Sequence, residues 1–415
     1  MAVVIVGTLD TKGHEIAFAR DVLNAEGLDV VVVDAGSLGE PVFQPEIGRD
    51  VVFRAAGTSL DEVRAQNDRG AAVTAAARGA AAVIDDLHQA RKIEGILGLG
   101  GSAGTVIGTS AMRQLPFGLP KVMLSTLASG QTRHYVGGSD ILMFASVADL
   151  SGLNRLTRTV ITNAARALAG MARPRCASFA TEPSDRSQER PLVAATMFGV
   201  TTPCVDRARQ RLEVAGLEVV VFHATGVGGQ AMEGLVRDGL VVGLLDLTTT
   251  ELADELVGGV LSAGPARLEA AVRARIPQVL SVGALDMVNF GPLDTIPERF
   301  RGREFHVHNP SVTLMRTTPE ENRRLGEWIV RILGQSRVPG QVMLPLRGVS
   351  ALDAPGKPFH DPNADAVLFD VIRSGLADHP HIRVVERDEH INDPAFADAA
   401  ASNLLELLGR THARA

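Results

Sequence analysis

A chain of 415 residues exceeds what one hydrophobic core ordinarily organises, so two domains of roughly 200 residues are expected. A net charge of −7 and an aromatic content of 4%, with one Trp and one Tyr, exclude the basic surface and stacked rings on which nucleic-acid binding depends. Two cysteines, Cys176 and Cys204, make neither a disulfide framework nor a zinc cluster and suit a reducing compartment.

The first fifteen residues, "MAVVIVGTLDTKGHE", carry no basic leader, and their apolar run stops at Gly7. They read as a buried strand rather than a signal peptide. The 20-residue windows all contain charges, Gly or Pro, so no membrane span and a cytoplasmic location are expected. "VVIVG" (3–7) and "DVVVVDAG" (29–36) are continuous apolar runs of the buried parallel-sheet kind, and between them "HEIAFARDVLNAEG" places Ile16, Ala19, Val22 and Leu23 at helical spacing. An Ala-rich helix over 70–91 follows, then "IEGILGLGG" as a strand running into glycines. "PKVMLST" (120–126) and "DILMFAS" (140–146) are strand-like, and "NRLTRTVITNAARALAGMA" is helical. This alternation is an α/β fold with helices on both faces of a parallel sheet.

Residues 172–190 are polar, contain Pro and lack any period, which marks an inter-domain linker between domains at 1–171 and 191–415. The pattern then restarts. "LNAEGLDVVVVDAG" (23–36) lines up with "LEVAGLEVVVFHATG" (212–226), and "LPKVMLST" (119–126) with "IPQVLSVG" (276–283). "GILGLGGSAGT" (95–105) corresponds in order to "GLVVGLLDLTTTELAD" (239–254). Two Rossmann-like domains related as an internal repeat are expected, with a ligand cleft between them where strand ends face. "QVMLPLRGVSALDAPGKPFHDPNADAVLFDVIRSGL" (341–376) adds a strand, a loop and a helix to the second domain.

In the glycine loop, Gly98, Gly100 and Ala103 satisfy G-x-G-x-x-A, but the next strand ends in Ser125 and Thr126, where a dinucleotide site needs an acid. A Walker A loop needs a lysine after Gly104, and none follows. Gly100, Gly101, Ser102, Gly104 and Thr105 instead suit convergence of backbone N–H groups on an anion at a helix N-terminus. The plain alternative is a tight turn without ligand. Gly7, Thr8, Asp10 and Lys12, in "GTLDTKG", leave the first strand's carboxyl end; Lys12 is placed to neutralise a phosphate and Asp10 to hold Mg²⁺ or a hydroxyl, or merely to cap a helix. Asp34 ends the second strand, where a ribose acceptor or a turn residue sits. Ser125, Thr126, Ser129 and Gly130 belong to a second polar loop at the same edge. "SVADLSGLNR" (146–155) reads as a bridging segment in which Asp149 and Asn154 serve structure.

The second half repeats such loops. His223 ends a strand ahead of Gly226, Gly228 and Gly229. Thr248 and Glu251 have capping-box spacing, which leaves Asp246 and Thr249 for a ligand. Asp286 and Asn289 lie just past a strand. His306 and His308, two apart, share a strand face as paired metal ligands do, but no third ligand has a diagnostic spacing. Asn309 and Arg316 follow, the latter suited to a carboxylate or phosphate. Cys204 beside Pro203 reads as a core thiol rather than a reactive one. No nucleophile elbow and no Cys–His arrangement is present.

"GTLDTKG", "GLGGSAGT", "FGVTTPCVD", "VFHATGVGGQAME", "DLTTTELADEL", "GALDMVNFG" and "HNPSVTLMRTTPEE" together resemble the ATP-binding family named for the tomato mosaic virus resistance protein, over nearly the whole chain. The resemblance implies two Rossmann-like subdomains and ATP as ligand, and it meets the residue reading at Lys12 and 100–105. In the plant protein a barrel-type domain follows this region, so a separately encoded barrel-type partner is an expectation; the antiviral role is not carried over. The reading that results is ATP, with Mg²⁺ through Asp10, at the first domain's strand ends. A small anionic metabolite is expected near His223, Gly228, Gly229, Asp246, Thr249, Asp286, Asn289, Asn309 and Arg316. Asp10, Lys12, Asp286 and Arg316 are the candidates for chemistry, which would be phosphoryl transfer or activation. A homo-oligomer is the expected assembly. An ATP-sensing module that presents a surface to a partner is the alternative, and a nicotinamide dehydrogenase a third.

Overall fold

The computed structural model describes residues 1–172 and 190–412, with side chains to 409. The stretch read as a linker, 172–190, lies outside the described residues except at its ends. Contacts divide the chain into two compact units, Met1–Ser184 and Asp185–Ala415.

The first unit runs β1 (Ala2–Gly7), α1 (Leu9–Ala25), β2 (Val30–Asp34), α2 (Arg49–Ala55), α3 (Leu60–Ala65), α4 (Arg69–Gln89), β3 (Ile93–Gly100), α5 (Ser102–Met112), β4 (Lys121–Ser125), α6 (Arg133–Val136), β5 (Leu142–Ala145) and α7 (Arg155–Ala172). All five strands pair in parallel in the order β2-β1-β3-β4-β5. The apolar runs are buried on both faces, as a parallel sheet requires. One face packs on α1 and α7 through Ile16, Leu23, Ile161 and Leu168; the other packs on α2, α4 and α5 through Val52, Ala76, Ala80 and Ile107. The small side chains of α4 have a packing use. A Cβ on Gly79 would overlap the carbonyl of Val52, so α2 and α4 approach to backbone contact.

The second unit runs β6 (Leu192–Met197), α8 (Thr202–Val214), β7 (Glu218–His223), α9 (Val227–Arg237), β8 (Gly243–Thr248), α10 (Glu251–Val257), α11 (Glu269–Ala274) and β9 (Gln278–Gly283). It continues through β10 (Met287–Phe290), β11 (Phe305–Asn309), β12 (Val312–Arg316), α12 (Pro319–Leu333), β13 (Gly340–Pro345), α13 (Pro362–Leu376), β14 (Ile382–Arg387) and α14 (Pro394–His412). Its parallel sheet has the order β7-β6-β8-β9-β13-β14. Between β9 and α12 the chain makes an antiparallel excursion, β10-β12-β11.

The two sheets thus share one winding. The strands aligned by sequence, β2 with β7, β3 with β8 and β4 with β9, hold equivalent places, so the internal repeat is a repeat of fold. In such a sheet the connections reverse direction once. That point, where helices leave on opposite faces, opens a crevice at the carboxyl ends of the strands. It falls between β1 and β3 in the first unit and between β6 and β8 in the second. No helix among the described residues is long and apolar enough to cross a membrane.

Candidate functional site

At the first crevice, β1 hands over to α1 through Thr8, and β3 to α5 through Gly100 and Gly101. Gly101 is the N-cap of α5, and no side chain caps the helix. The first intrahelical bond is Thr105 N–H to the Gly101 carbonyl, 2.8 Å, so the N–H groups of Ser102, Ala103 and Gly104 begin the helix without backbone partners. The glycines differ in why they are there. A Cβ on Gly100 would lie 3.0 Å from Gly104 Cα, and one on Gly104 3.1 Å from the Leu99 carbonyl oxygen, so both permit close packing of turn on helix. A Cβ on Gly101 would meet nothing nearer than Thr126 Oγ1, at 3.8 Å. The fold leaves the space over Gly101 open.

Around this edge Thr8, Asp10, Thr11, Ser37 and Arg69 line a cleft whose wall is Ala72, Ala76, Ala103 and Ile107. Asp10 accepts the Leu38 N–H through Oδ2 at 2.7 Å, while its Oδ1 is buried without a hydrogen-bond partner among the described residues. Thr8 and Thr11 share a hydroxyl hydrogen bond of 2.6 Å. Arg69 opens α4 at the mouth of the cleft, is exposed, and makes no hydrogen bond or ion pair among the described residues.

Other expected members are engaged elsewhere. Lys12 donates its ammonium to the Leu150 carbonyl. Asp34 accepts the N–H groups of Leu9 and Gly36 on Oδ1, each at 2.9 Å, and the Arg49 guanidinium on Oδ2 at 2.9 Å. Its carboxylate ties β2 to the start of α1 and is not left for a ribose. Thr105 and Ser125 share a buried hydroxyl hydrogen bond of 2.6 Å that locks α5 to β4. Thr126 donates its N–H to the Gly100 carbonyl at 3.3 Å, whereas Ser129 and Gly130 are exposed in the following turn. Asn154 caps α7, accepting from Leu156 and Thr157, the structural role expected of it.

The second unit's glycine loop is filled from within. Glu251 Oε1 accepts the N–H groups of Gly226 at 2.7 Å and Gly229 at 3.0 Å, occupying the N-terminus of α9 where a ligand anion was expected. A Cβ on Gly229 would overlap the Glu251 carboxylate, and one on Gly228 the His223 carbonyl. Glu251 is held by Arg267, which is fully buried: Nε donates to Glu251 Oε2 at 2.8 Å, and both terminal nitrogens donate to Asp246, at 2.6 and 2.7 Å. Burial opposes the Arg267 charge, but Asp246, Glu251 and Glu233 hold the guanidinium protonated well above its ordinary range. The expected capping box of Thr248 and Glu251 does not form. The N-cap of α10 is Thr250, and the Thr248 hydroxyl pairs with Thr201 at 2.7 Å. The signal for Glu251 was its spacing, which fits a box, but its partner lies on another helix.

Asp286 and Arg316 do come together, inside the fold. Arg316 donates to the carbonyls of Phe359 and Asp361, to Thr317 Oγ1 and to Asp365 Oδ1, leaving no free edge for a ligand carboxylate. Burial pushes the Asp286 carboxyl up to about 7 against the pull of Arg316; Ser350 donates to its Oδ2 at 2.7 Å and its Oδ1 has no partner among the described residues. Asn289 is bound to Asp254 at 2.7 Å, and Thr249 donates to the Ser281 carbonyl at 3.1 Å. Asn309 accepts the Ser311 N–H in the β11–β12 hairpin, and His223 is exposed at the end of β7. His306 sits edge-on to Phe359, ring centroids 6.2 Å apart, and His308 is exposed. Among the described residues no group of three or more His, Cys, Asp or Glu is placed to hold a metal ion.

Comparison with known proteins adds the following. Residues 1–177 match the family described as "Uncharacterised protein family (UPF0261) N-terminal domain", and residues 190–408 match the corresponding C-terminal domain. A UPF0261 protein of Clostridium tetani is 47% identical over 406 residues, covering 98% of each chain. The ToMV resistance protein Tm-1 of Solanum lycopersicum is 42% identical over 425 residues, which cover 97% of this chain and 55% of the tomato protein. Among solved structures, a UDP-N-acetylglucosamine 2-epimerase from Rickettsia bellii is 10% identical with a TM-score of 0.22, covering 98% of this chain and 95% of that one.

Proposed function

The chain belongs to the UPF0261 family, and from that premise we propose that it binds ATP at the carboxyl edge of its first sheet, in the crevice between β1 and β3. The observation that carries this reading is the uncapped N-terminus of α5 beneath Gly101, a glycine whose absent side chain no part of the fold requires. Backbone N–H groups there, with the helix dipole behind them, suit a phosphate. The ordinary turn reading would place glycine only where the packing is tight, as at Gly100 and Gly104.

Charge neutralisation falls to Arg69, without an ion pair among the described residues, rather than to Lys12, whose ammonium is bound to the Leu150 carbonyl. Thr8, Ser102 and Thr11 add hydroxyl donors, and the unpartnered Oδ1 of Asp10 is the atom left for Mg²⁺ or a ribose hydroxyl. The apolar wall of Ala72, Ala76, Ala103 and Ile107 suits the flat face of a base. Mg²⁺ would supply charge screening of the phosphates; the residues themselves bind and orient.

The chemistry this reading leads to is phosphoryl transfer to, or activation of, a small anionic metabolite. The test is calorimetric titration with ATP and Mg²⁺, followed by ADP release in the presence of a pool of carboxylic and sugar acids. Saturable ATP binding with metabolite-dependent ADP is expected. ATP binding without turnover would remove the enzyme reading, and no ATP binding, or tighter binding of NAD(H), would remove the site.

A further inference from the structure

Ser125 closes β4, and Thr126 is the first residue beyond it. The fold treats their two hydroxyls differently. Ser125 is fully buried; its Oγ shares a hydrogen bond of 2.6 Å with the Thr105 hydroxyl and accepts the Leu127 N–H at 3.0 Å. That hydroxyl is used up in joining α5 to β4. Thr126 is half-buried, and its Oγ1 makes no hydrogen bond among the described residues. Its backbone is nonetheless fixed, because its N–H donates to the Gly100 carbonyl at 3.3 Å. A hydroxyl so placed keeps its donor for water or a ligand.

The space beside it is the opening over Gly101. Beyond the neighbouring residues of the chain, the nearest heavy atom to a Cβ built on Gly101 is Thr126 Oγ1, at 3.8 Å. The N–H groups that begin the eleven-residue α5 border the same opening. An anion over Gly101 therefore meets backbone donors from α5 and a hydroxyl from the end of β4, two separate elements of the sheet edge.

Strand order gives the direction. The neighbours run β1-β3-β4, and strands in a sheet lie about 4.8 Å apart. The cleft walled by Ala72, Ala76, Ala103 and Ile107 takes in Thr8 and Thr11 at the β1 end. Gly101 follows β3, and Thr126 follows β4. A nucleotide with its base on the apolar wall and a phosphate over Gly101 extends along this edge toward β4, where Thr126 is a donor without a protein acceptor.

Resting on the nucleotide reading above, we propose that Thr126 is a specificity-determining residue of that site: its hydroxyl donates to the terminal phosphate and so selects a nucleoside triphosphate over the di- and monophosphate. A donor that only the last phosphate reaches adds affinity only when that phosphate is present. A hydrogen bond to a charged oxygen is also of the stronger kind. ADP and AMP leave Thr126 to water.

The test is calorimetric titration of the full chain with ATP, ADP and AMP, each with Mg²⁺. The wild type is expected to bind ATP about tenfold more tightly than ADP. Thr126→Val keeps the shape and the backbone bond but removes the donor; it brings the ATP affinity down to that of ADP and leaves ADP and AMP unchanged. Thr126→Ser restores the hydroxyl and the preference, and Thr126→Ala serves in place of the valine variant should that not fold. Ser125→Ala lowers the thermal midpoint and keeps the wild-type ratio. A wild type without preference for ATP, an unchanged ratio in Thr126→Val, or an equal loss for all three nucleotides overturns the proposal and leaves the nucleotide site standing. Binding of none of the three by the wild type removes the site and the proposal together.

Discussion

Glu251 Oε1 lies 3.0 Å from the backbone nitrogen of Gly229, one carboxylate closing the N-terminus of another helix. The arrangement leaves no room for a larger residue, because a Cβ on Gly229 would overlap that carboxylate. Gly229→Ala is therefore expected to destabilise the second unit severely. Glu251→Gln weakens the compensation of the fully buried Arg267 and is expected to cost about 3–5 kcal/mol, the usual penalty for breaking a buried pair. Denaturant unfolding checks both, and unchanged stability in either would refute the account.

At the first unit's edge, Gly101→Val is expected to abolish ATP binding with little change in unfolding midpoint, since the protein offers space there and the ligand would not. Arg69→Ala should weaken ATP about tenfold through the loss of a charge-assisted contact. Lys12→Ala should weaken it less, because the Lys12 ammonium is spent on the Leu150 carbonyl. The ranking is read from three calorimetric titrations; a larger effect at Lys12 than at Arg69 would return the countercharge to Lys12.

The second unit should lose stability as the solution becomes more alkaline. Burial raises the Asp254 and Asp286 carboxyls to about 7, from about 4 when unfolded, so the native state binds more protons than the unfolded state between those values. A raised acid contributes stability that is complete below about pH 4 and is lost as pH climbs through about 7. Thermal melts from pH 5 to 8 should show a falling midpoint, with a shallower fall in Asp286→Asn. A midpoint that rises over this range would contradict the assignment.

Cys204 is expected to be inert in the native protein. It is fully buried on α8, and burial pushes its thiol up to about 12. Iodoacetamide should leave the Cys204 peptide unmodified until denaturant is added, consistent with a packing role; rapid native labelling would refute it.

Much of the fold is legible in the residues themselves. Continuous runs such as "VVIVG" and "DVVVVD" are what a sheet covered on both faces needs, and the echo of 23–36 in 212–226 foretells the shared strand order. The site is less legible, because which partner a polar group chooses is a matter of three-dimensional contact. Asp34 stands where a ribose acceptor would, yet Arg49, fifteen positions on, claims it. Gly226, Gly228 and Gly229 look like an anion loop, and the N–H groups of Gly226 and Gly229 do hold an anion, but it is Glu251. Arg69 carries no local pattern that marks it, and only the placement of α4 against α5 brings it to the cleft.

Two sheets wound alike suggest two equal sites, and the inner anion of the second breaks that symmetry. A tethered carboxylate never diffuses away, so no dissolved phosphate competes with it on equal terms. If the first unit binds ATP as proposed, saturation of the chain is expected at one nucleotide, not two, with Glu251 filling the second place.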